Sequence, residues 1–414
     1  MASTYLSRTP ASAGNRKTWT FSAWLKRSYL ITSRIFCTIA SGIDDYIKFD
    51  TSDRIEWAFD HEDLTNRGKL ITNRVFRDVS AWYHIICAVD TTNATAGNRM
   101  RIYINGVEET SFATDINPTL NEDGQISNAN PHFLSSTSSA QFFDGYMSEV
   151  HFIDGSQLTP SSFGETNTGI WVPKKYSGSY GTNGFKLEFK NSSALGTDTS
   201  GNSNTFTVNN LTSIDQVTDT PENNFATLNP LIATGGTYAE GNLQWTSATT
   251  NGYWCWSSIT PSSGGKWYCE TKMISKATTY YQIGITTDAI NSSTNRILYR
   301  SDGAIFIDSS NTNTFASYTT GDIIGLAYDA STLGLTIYKN GVSQGTVTAT
   351  QTNNYYFGAV ADSSGNSFVT QWNFGNPSFT IASGNSDANG YGNFEYAVPS
   401  GYYALNTKNL AEYG

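Results

Sequence analysis

The stretch Glu149-Val-His151-Phe-Ile-Asp154 is where this sequence comes nearest to acid–base chemistry. Cleaving a glycosidic bond by the common route needs two suitably spaced carboxylates, one as acid and one as nucleophile or base. Here a histidine stands between the acids, and Asp154 falls where the strand gives way to a turn. The pair is not expected to act together, and the chain is expected not to be an enzyme. His61, His84, His132 and His151 are scattered, without His or Cys partners at ligand spacing. There is no phosphate loop, which excludes that nucleotide chemistry.

Composition narrows the classes further. The net charge of −10 argues against a partner held through nucleic-acid phosphates, which calls for clustered Lys and Arg. No apolar run approaches the roughly 18 residues of a membrane span, so no membrane insertion is expected. The opening "MASTYLSRTPASAG" lacks the apolar core of a signal peptide, so synthesis in a cytoplasm without secretory export is expected. Four dispersed cysteines do not make a disulfide scaffold. Cys255 and Cys269 are placed symmetrically about Ser262, so a hairpin there would set them opposite each other; free buried thiols are the expectation.

Aromatic residues make up 14% of the chain, charged residues another 14%, and no window carries a helical apolar stripe. Aromatic and β-branched residues suit pleated surfaces, while Asn and Gly suit turns. The expectation is an all-β chain of more than one domain. "RIYINGVEE" (101–109) and "TIYKNGVSQ" (336–344) are near copies. Each ends a unit that reads as a strand ending in Asp, a turn, and a strand ending in Asn-Gly. Met100, Ile102 and Ile104 share one face, as do Leu335 and Ile337. Asn-Gly is the preferred tight-turn pair, so the motif is read as a turn and not as a ligand site.

Together, "WTFSAWLKRS" (19–28), "WYHIICAVD" (82–90), "RIYINGVEE" and "FFDGYMSEVHFIDGSQLTP" (142–160) resemble the laminin G-like, concanavalin A-type jelly roll. "GGKWYCETKM" (264–273), "YYQIGITT" (280–287), "ILYRSDGAIF" (297–306), "GDIIGLAYD" (321–329), "YYFGAVADSSG" (355–365) and "VTQWNFG" (369–375) resemble, in order, a SPRY domain. The resemblance implies two antiparallel β-sandwich jelly rolls joined by a β-containing connector. Its boundaries are an N-terminal arm 1–14, a laminin G-like sandwich 15–160, a connector 161–235, a SPRY-like sandwich 236–380 and a C-terminal packing or assembly segment 381–414. The connector "DTPENNFATLNP" and the ending "NFEYAVPSGYYALNTKNLAEY" are similar to lectin-like virion proteins of tailed phages, marine ones especially.

These resemblances imply a phage virion protein, a head or tail appendage, fibre or decoration, that binds a host-surface glycan or receptor. Other virion proteins would be its partners, a homotrimer its assembly and the virion its location. A cell-surface lectin or adhesin and a polysaccharide depolymerase are the alternatives. Enzymes of the concanavalin type carry Glu-x-Asp-x-x-Glu, from which His151 departs. SPRY-like domains bind through loops at one end. That points to Tyr280, Tyr299, Arg300, Phe315 and Tyr318 as a ligand-binding edge, the last two on the insert 308–322. Trp171 reads as a packing anchor. No cofactor is expected; calcium is the one candidate, since related sandwiches hold it in acidic loops, here through Asp44, Asp45, Asp60 and Asp63.

Overall fold

The computed structural model describes residues 3–40, 43–59, 67–232, 235–248, 253–261, 264–276, 281–287, 294–361 and 367–414. The chain divides into two compact units, Met1–Gln216 and Val217–Gly414. Each is a sandwich of two almost wholly antiparallel sheets, as the alternating pattern predicts.

In the first unit, the eight-stranded sheet runs Phe112–Ile116, Gly68–Val75, Arg54–Phe59, Ile43–Phe49, Ser33–Ala40, His132–Leu134, Tyr5–Arg8 and Thr207–Asn209 in space. The six-stranded sheet runs Phe185–Leu187, Gly145–Asp154, Thr18–Arg27, Tyr83–Asp90, Met100–Ile104 and Val107–Glu108. Trp19, Phe21, Ala23 and Leu25 pack inward with Ile47, Ile55 and Trp57. In the second unit, Lys266–Lys276 lies centrally in an eight-stranded sheet, beside Ile323–Asp329 and Phe368–Asn373. The facing six-stranded sheet includes Tyr253–Trp256, Tyr356–Ala361, Tyr281–Thr286 and Arg296–Arg300.

Two expected boundaries shift, and the C-terminal segment takes the packing role. Tyr5–Arg8, placed in an arm, is a strand paired on both sides. The expected connector 161–235 is not a separate element. Phe185–Leu187 and Thr207–Asn209 are edge strands of the two sheets of the first unit, while Phe225, Ala226 and Leu228 lie buried in the second. Unpaired strand edges need partners, and these short segments supply them. The segment 381–414 packs on its own unit: Tyr403–Ala404 pairs in parallel with Trp267 and Tyr268, and Leu405 and Asn409 are fully buried. Both faces of Lys266–Lys276 are therefore covered, Trp267 and Cys269 by the core and Tyr268 and Glu270 by this segment. Tyr253–Trp256 and Lys266–Lys276 belong to different sheets, so Cys255 and Cys269 are not hairpin neighbours. All four cysteines are free and buried.

The repeated nonapeptide is one device used twice. Asn105 accepts a hydrogen bond from the His84 amide at 2.7 Å through Oδ1 and donates its own amide to the His84 carbonyl at 2.9 Å. Asn340 does the same with Ile323, at 2.9 and 2.8 Å. The Asp that closes each preceding strand also caps its turn, Asp90 accepting from the Thr92 amide and Asp329 from the Ser331 amide, both at 3.0 Å. The glycine that follows each Asn is left-handed and carries an aromatic ring on its bare face. A Cβ on Gly106 would lie 2.8 Å from Trp171, and one on Gly341 2.6 Å from Tyr396. Both rings come from a later segment that straps the outer face of that same sheet.

Gly106→Ala and Gly341→Ala should therefore each cost more than the roughly 1–2 kcal/mol of left-handed strain, because the strap ring must also move. Denaturant midpoints should fall at unchanged m-value, and unaltered midpoints would show that the ring contact is dispensable.

Candidate functional site

Two of the four described residues of the ligand edge expected on the second unit are buried. Tyr280 lies outside the described residues. Tyr299 is fully buried opposite Ile283, and its hydroxyl donates to the Ala316 carbonyl. Tyr318 is also buried, its hydroxyl donating to the Tyr299 carbonyl at 2.9 Å. Phe315 is half-buried, edge-on to Tyr299 at 6.1 Å and lying over Gly345. Arg300 forms two bonds to Asp302, 2.7 and 3.0 Å, and lies over the Phe306 ring. The structure brings Tyr299, Phe315 and Tyr318 together as a core plug. The insert is spent on the edge strand Ser310–Thr314 and on returning Tyr318 to the core.

The acids of the first unit are engaged. Glu149 has φ +46° beside an irregularity in strand register, and faces Lys186 at 3.1 Å and His151 at 3.5 Å. Burial pushes its carboxyl up, but the His151 hydrogen bond and the Lys186 ammonium hold it down to about 2. Asp154 ties three segments together, accepting from the Asn15 amide at 2.7 Å, the Ser127 hydroxyl at 3.2 Å and the Asn183 amide at 2.9 Å. Of the calcium candidates, Asp60 and Asp63 lie outside the described residues. Asp45 is buried and accepts the Gln125 and Ile126 amides at 2.6 and 3.1 Å, and Asp44 pairs with Arg34. Amide hydrogens around Asp45 leave that carboxylate oxygen no role as a cation ligand. Among the described residues no group of three His, Cys, Asp or Glu is placed to hold a metal.

A serine and a histidine do meet in the first unit. Ser22 Oγ is 2.8 Å from His84 Nε2, while the Trp171 indole N–H donates to His84 Nδ1 at 2.9 Å. Indole only donates, so Nδ1 is the accepting nitrogen and Nε2 carries the proton, donated to Ser22. His84 cannot then act as base toward that serine. Burial, with a smaller push from His151, lowers its pKa to about 3. His132 is held neutral in the same way: Nε2 accepts the Ser127 amide, Nδ1 donates to the Asn130 carbonyl, and burial lowers the pKa to about 4.

The outer face of the eight-stranded sheet in the first unit is different. Tyr5, Phe133 and Phe142 form a half-buried aromatic group, with Tyr5 6.1 Å from Phe133 and 6.2 Å from Phe142. None of the three belongs to the main core, and the Tyr5 hydroxyl takes no partner among the described residues. Ser7 and Thr207 lie on the same face, and Asn209 donates to Ser7 Oγ at 3.2 Å. Rings beside amides and hydroxyls can stack on a sugar face and bond its hydroxyls. Sequence reasoning missed this group because Tyr5 fell in the expected arm, and Phe133 and Phe142 lie 128 residues or more further on. Alternation was the available signal, since Tyr5 and Ser7 flank the inward Leu6.

Residues 2–162 match the family described as the Concanavalin A-like lectin/glucanases superfamily. The first unit carries a concanavalin A-like jelly roll. That match covers fewer than half of the residues of the chain, and no curated protein matches it. Among solved structures, the SPRY domain of human HERC1 is 17% identical, over 35% of this chain and 96% of that one, with a TM-score of 0.33. The heptameric SAP-like pentraxin of Limulus polyphemus is 14% identical, over 38% and 71%, at 0.28. Domains LG4-5 of the mouse laminin alpha1 chain are 9% identical, over 90% and 85%, at 0.30.

Two outcomes follow from the buried groups. Tyr318→Ser should destabilise the second unit by about 3–5 kcal/mol, as for large aromatic truncations in a core, and an unchanged melting temperature would place Tyr318 outside the core. The histidines set a pH window. Unfolded His takes up a proton below its ordinary value near 6.5, while folded His84 and His132 stay neutral to about 3 and 4. Their stabilising contribution is full above pH 6.5 and is lost as pH falls toward 4. Hydrogen exchange on the full chain should show the first unit losing protection between pH 6.5 and 4 before the second, and equal loss in both would contradict this.

Proposed function

We propose that the chain is a non-enzymatic glycan-binding protein that contacts saccharide through the outer face of the eight-stranded sheet of its first unit. The half-buried group Tyr5, Phe133 and Phe142 carries the reading, because these rings stay outside the main core, Phe133 resting on the small buried cluster Cys37, Tyr46 and Ala58. The similarity of residues 2–162 to lectins and glucanases supports the saccharide class. Of those two activities, binding is favoured. Glu149 is held ionised by the Lys186 ammonium and a hydrogen bond from neutral His151, and Asp154 is spent on amide and hydroxyl donors. The protein is further proposed to be a tailed-phage virion component, displayed toward the host surface and carried by other virion proteins. The phage-like connector and C-terminal sequence are what favour that setting. The C-terminal segment is taken up on its own unit through Tyr402, Tyr403, Leu405 and Leu410, so a homotrimer would have to form through other surfaces.

A glycan array probed with purified protein should show binding that Tyr5→Ser with Phe133→Ser abolishes at an unchanged melting temperature. Binding indifferent to that double change would remove the site from this face. Release of reducing sugar from host polysaccharide, lost in Glu149→Gln, would replace the binding reading by a hydrolytic one.

A further inference from the structure

The same sheet face carries charge beside its aromatic group. In register, Phe133 lies opposite Cys37, Cys37 opposite Tyr46 and Tyr46 opposite Ala58, a row on the outer face whose last three members are buried beneath the charged side chains and Phe133. The Arg34 guanidinium lies 3.7 Å from the centre of the Tyr46 ring and the Lys48 ammonium 4.9 Å from it. Glu56 is the hub: it accepts the Tyr46 hydroxyl at 2.7 Å, Lys69 at 2.9 Å and Lys48 at 3.1 Å. Burial pushes Glu56 up, but those donors hold its carboxyl below the usual range, so it remains charged. Arg34 also reaches Asp44 at 3.5 Å and Gln141 at 2.9 Å.

We propose that this face selects glycans bearing an anionic group, with Lys48 and Lys69 as the residues that receive it. The inference rests on the glycan-binding reading above. Among the described residues, three cations, Arg34, Lys48 and Lys69, face two carboxylates, Asp44 and Glu56, an excess of one positive charge on a chain whose net charge is −10. Each ammonium has three donors; each Lys meets one oxygen of Glu56, which leaves donors for another acceptor. Both side chains stay reachable, at 17% and 20% exposure, and Glu56 holds them in place beforehand. Charge-assisted bonds to carboxylate or sulfate are about twice as strong as neutral ones. Phe133 and Lys48 stand on strands two apart and two residues out of register, about 12 Å by strand spacing and rise, within reach of one short oligosaccharide. The aromatic group would hold a sugar face and the lysines the charge of a neighbouring sugar.

The test is affinity electrophoresis of the full chain through gels containing polygalacturonate, dextran sulfate or neutral dextran. Wild type should be retarded by an acidic polymer more than by neutral dextran, although its net negative charge opposes this. Lys48→Gln with Lys69→Gln should weaken acidic retention about tenfold or more, as expected for losing hydrogen bonds from charged groups. Lys48→Arg with Lys69→Arg should retain it, which separates lost charge from lost fold. Retention by polygalacturonate alone would identify a carboxylate, and by dextran sulfate alone a sulfate. Equal retention by all three polymers, unchanged in the Gln variant, would overturn charge selection and leave the aromatic platform standing. Acidic retention that survives Tyr5→Ser with Phe133→Ser but not the Gln change would keep the anion site and overturn the platform. No retention of wild type in any gel would overturn both.

Discussion

Both units depend on an asparagine side chain that bonds back to the start of the preceding strand. Asn105 to His84 and Asn340 to Ile323 each pair a backbone bond with a side-chain bond, which fixes the register of two strands and holds the turn left-handed. The following glycine then has no Cβ, and an aromatic ring can rest on backbone. Trp171 does so in the first unit and Tyr396 in the second. A strap anchored there covers the outer face of its sheet. In the first unit Phe163 and Tyr180 close over Ile86, Ala88 and Ile153; in the second Phe394 and Tyr402 close over Tyr268 and Ala327. One local geometry therefore decides which face of each sandwich is sealed.

Sealing a face brings polar backbone under cover, and buried amides must find acceptors. This chain supplies carboxylates. Glu270 accepts the Glu395 and Tyr396 amides at 2.9 and 2.8 Å, pinning the strap at its anchor residue and the residue before it. Asp387 accepts the Asn389, Tyr391 and Ala404 amides at 3.0, 2.9 and 3.0 Å. Asp198 organises residues 198–204 in the same manner, taking the Lys186, Ser200 and Asn204 amides. A chain poor in charge thus uses much of it as fixed acceptors. Asp- and Asn-rich loops that read as cation sites in sequence are, where described, closed by N–H donors.

Fold was legible because its signals are local. Alternation placed Met100, Ile102 and Ile104 inward, and Asn-Gly marked both hairpins. What failed required knowing which element crosses to which sheet. Cys255 and Cys269 are symmetric about Ser262, yet the chain between them passes from one sheet to the other. Tyr299 and Tyr318 sit beside polar loop residues, and that proximity outweighed the alternation that sets Tyr299 on the face of Ile297. Strap residues carry little periodicity, so Trp171 was legible as an anchor but the position of its seat was not.

The outer faces of the two unstrapped sheets show why composition could not locate the site. In the second unit, Gly284 and Gly358 pair side by side between Leu298 and Trp256, and a Cβ on either would meet a neighbouring carbonyl oxygen at 2.0 or 2.2 Å. Trp254 and Trp256 there are 3% and 1% exposed, so their rings contribute area to stability and none to a visitor. In the first unit the corresponding face has Tyr5, Phe133 and Phe142 half-open, next to ammonium groups that a single buried carboxylate holds in place. Phe306 and Tyr356 on that second-unit face are half-buried too, but Arg300, lying over Phe306, is tied to Asp302, whereas Lys48 and Lys69 each meet one oxygen of Glu56. Which rings stay half-open on each face, and which cations stand beside them, is set by which strands reach the edge and which strap lies opposite.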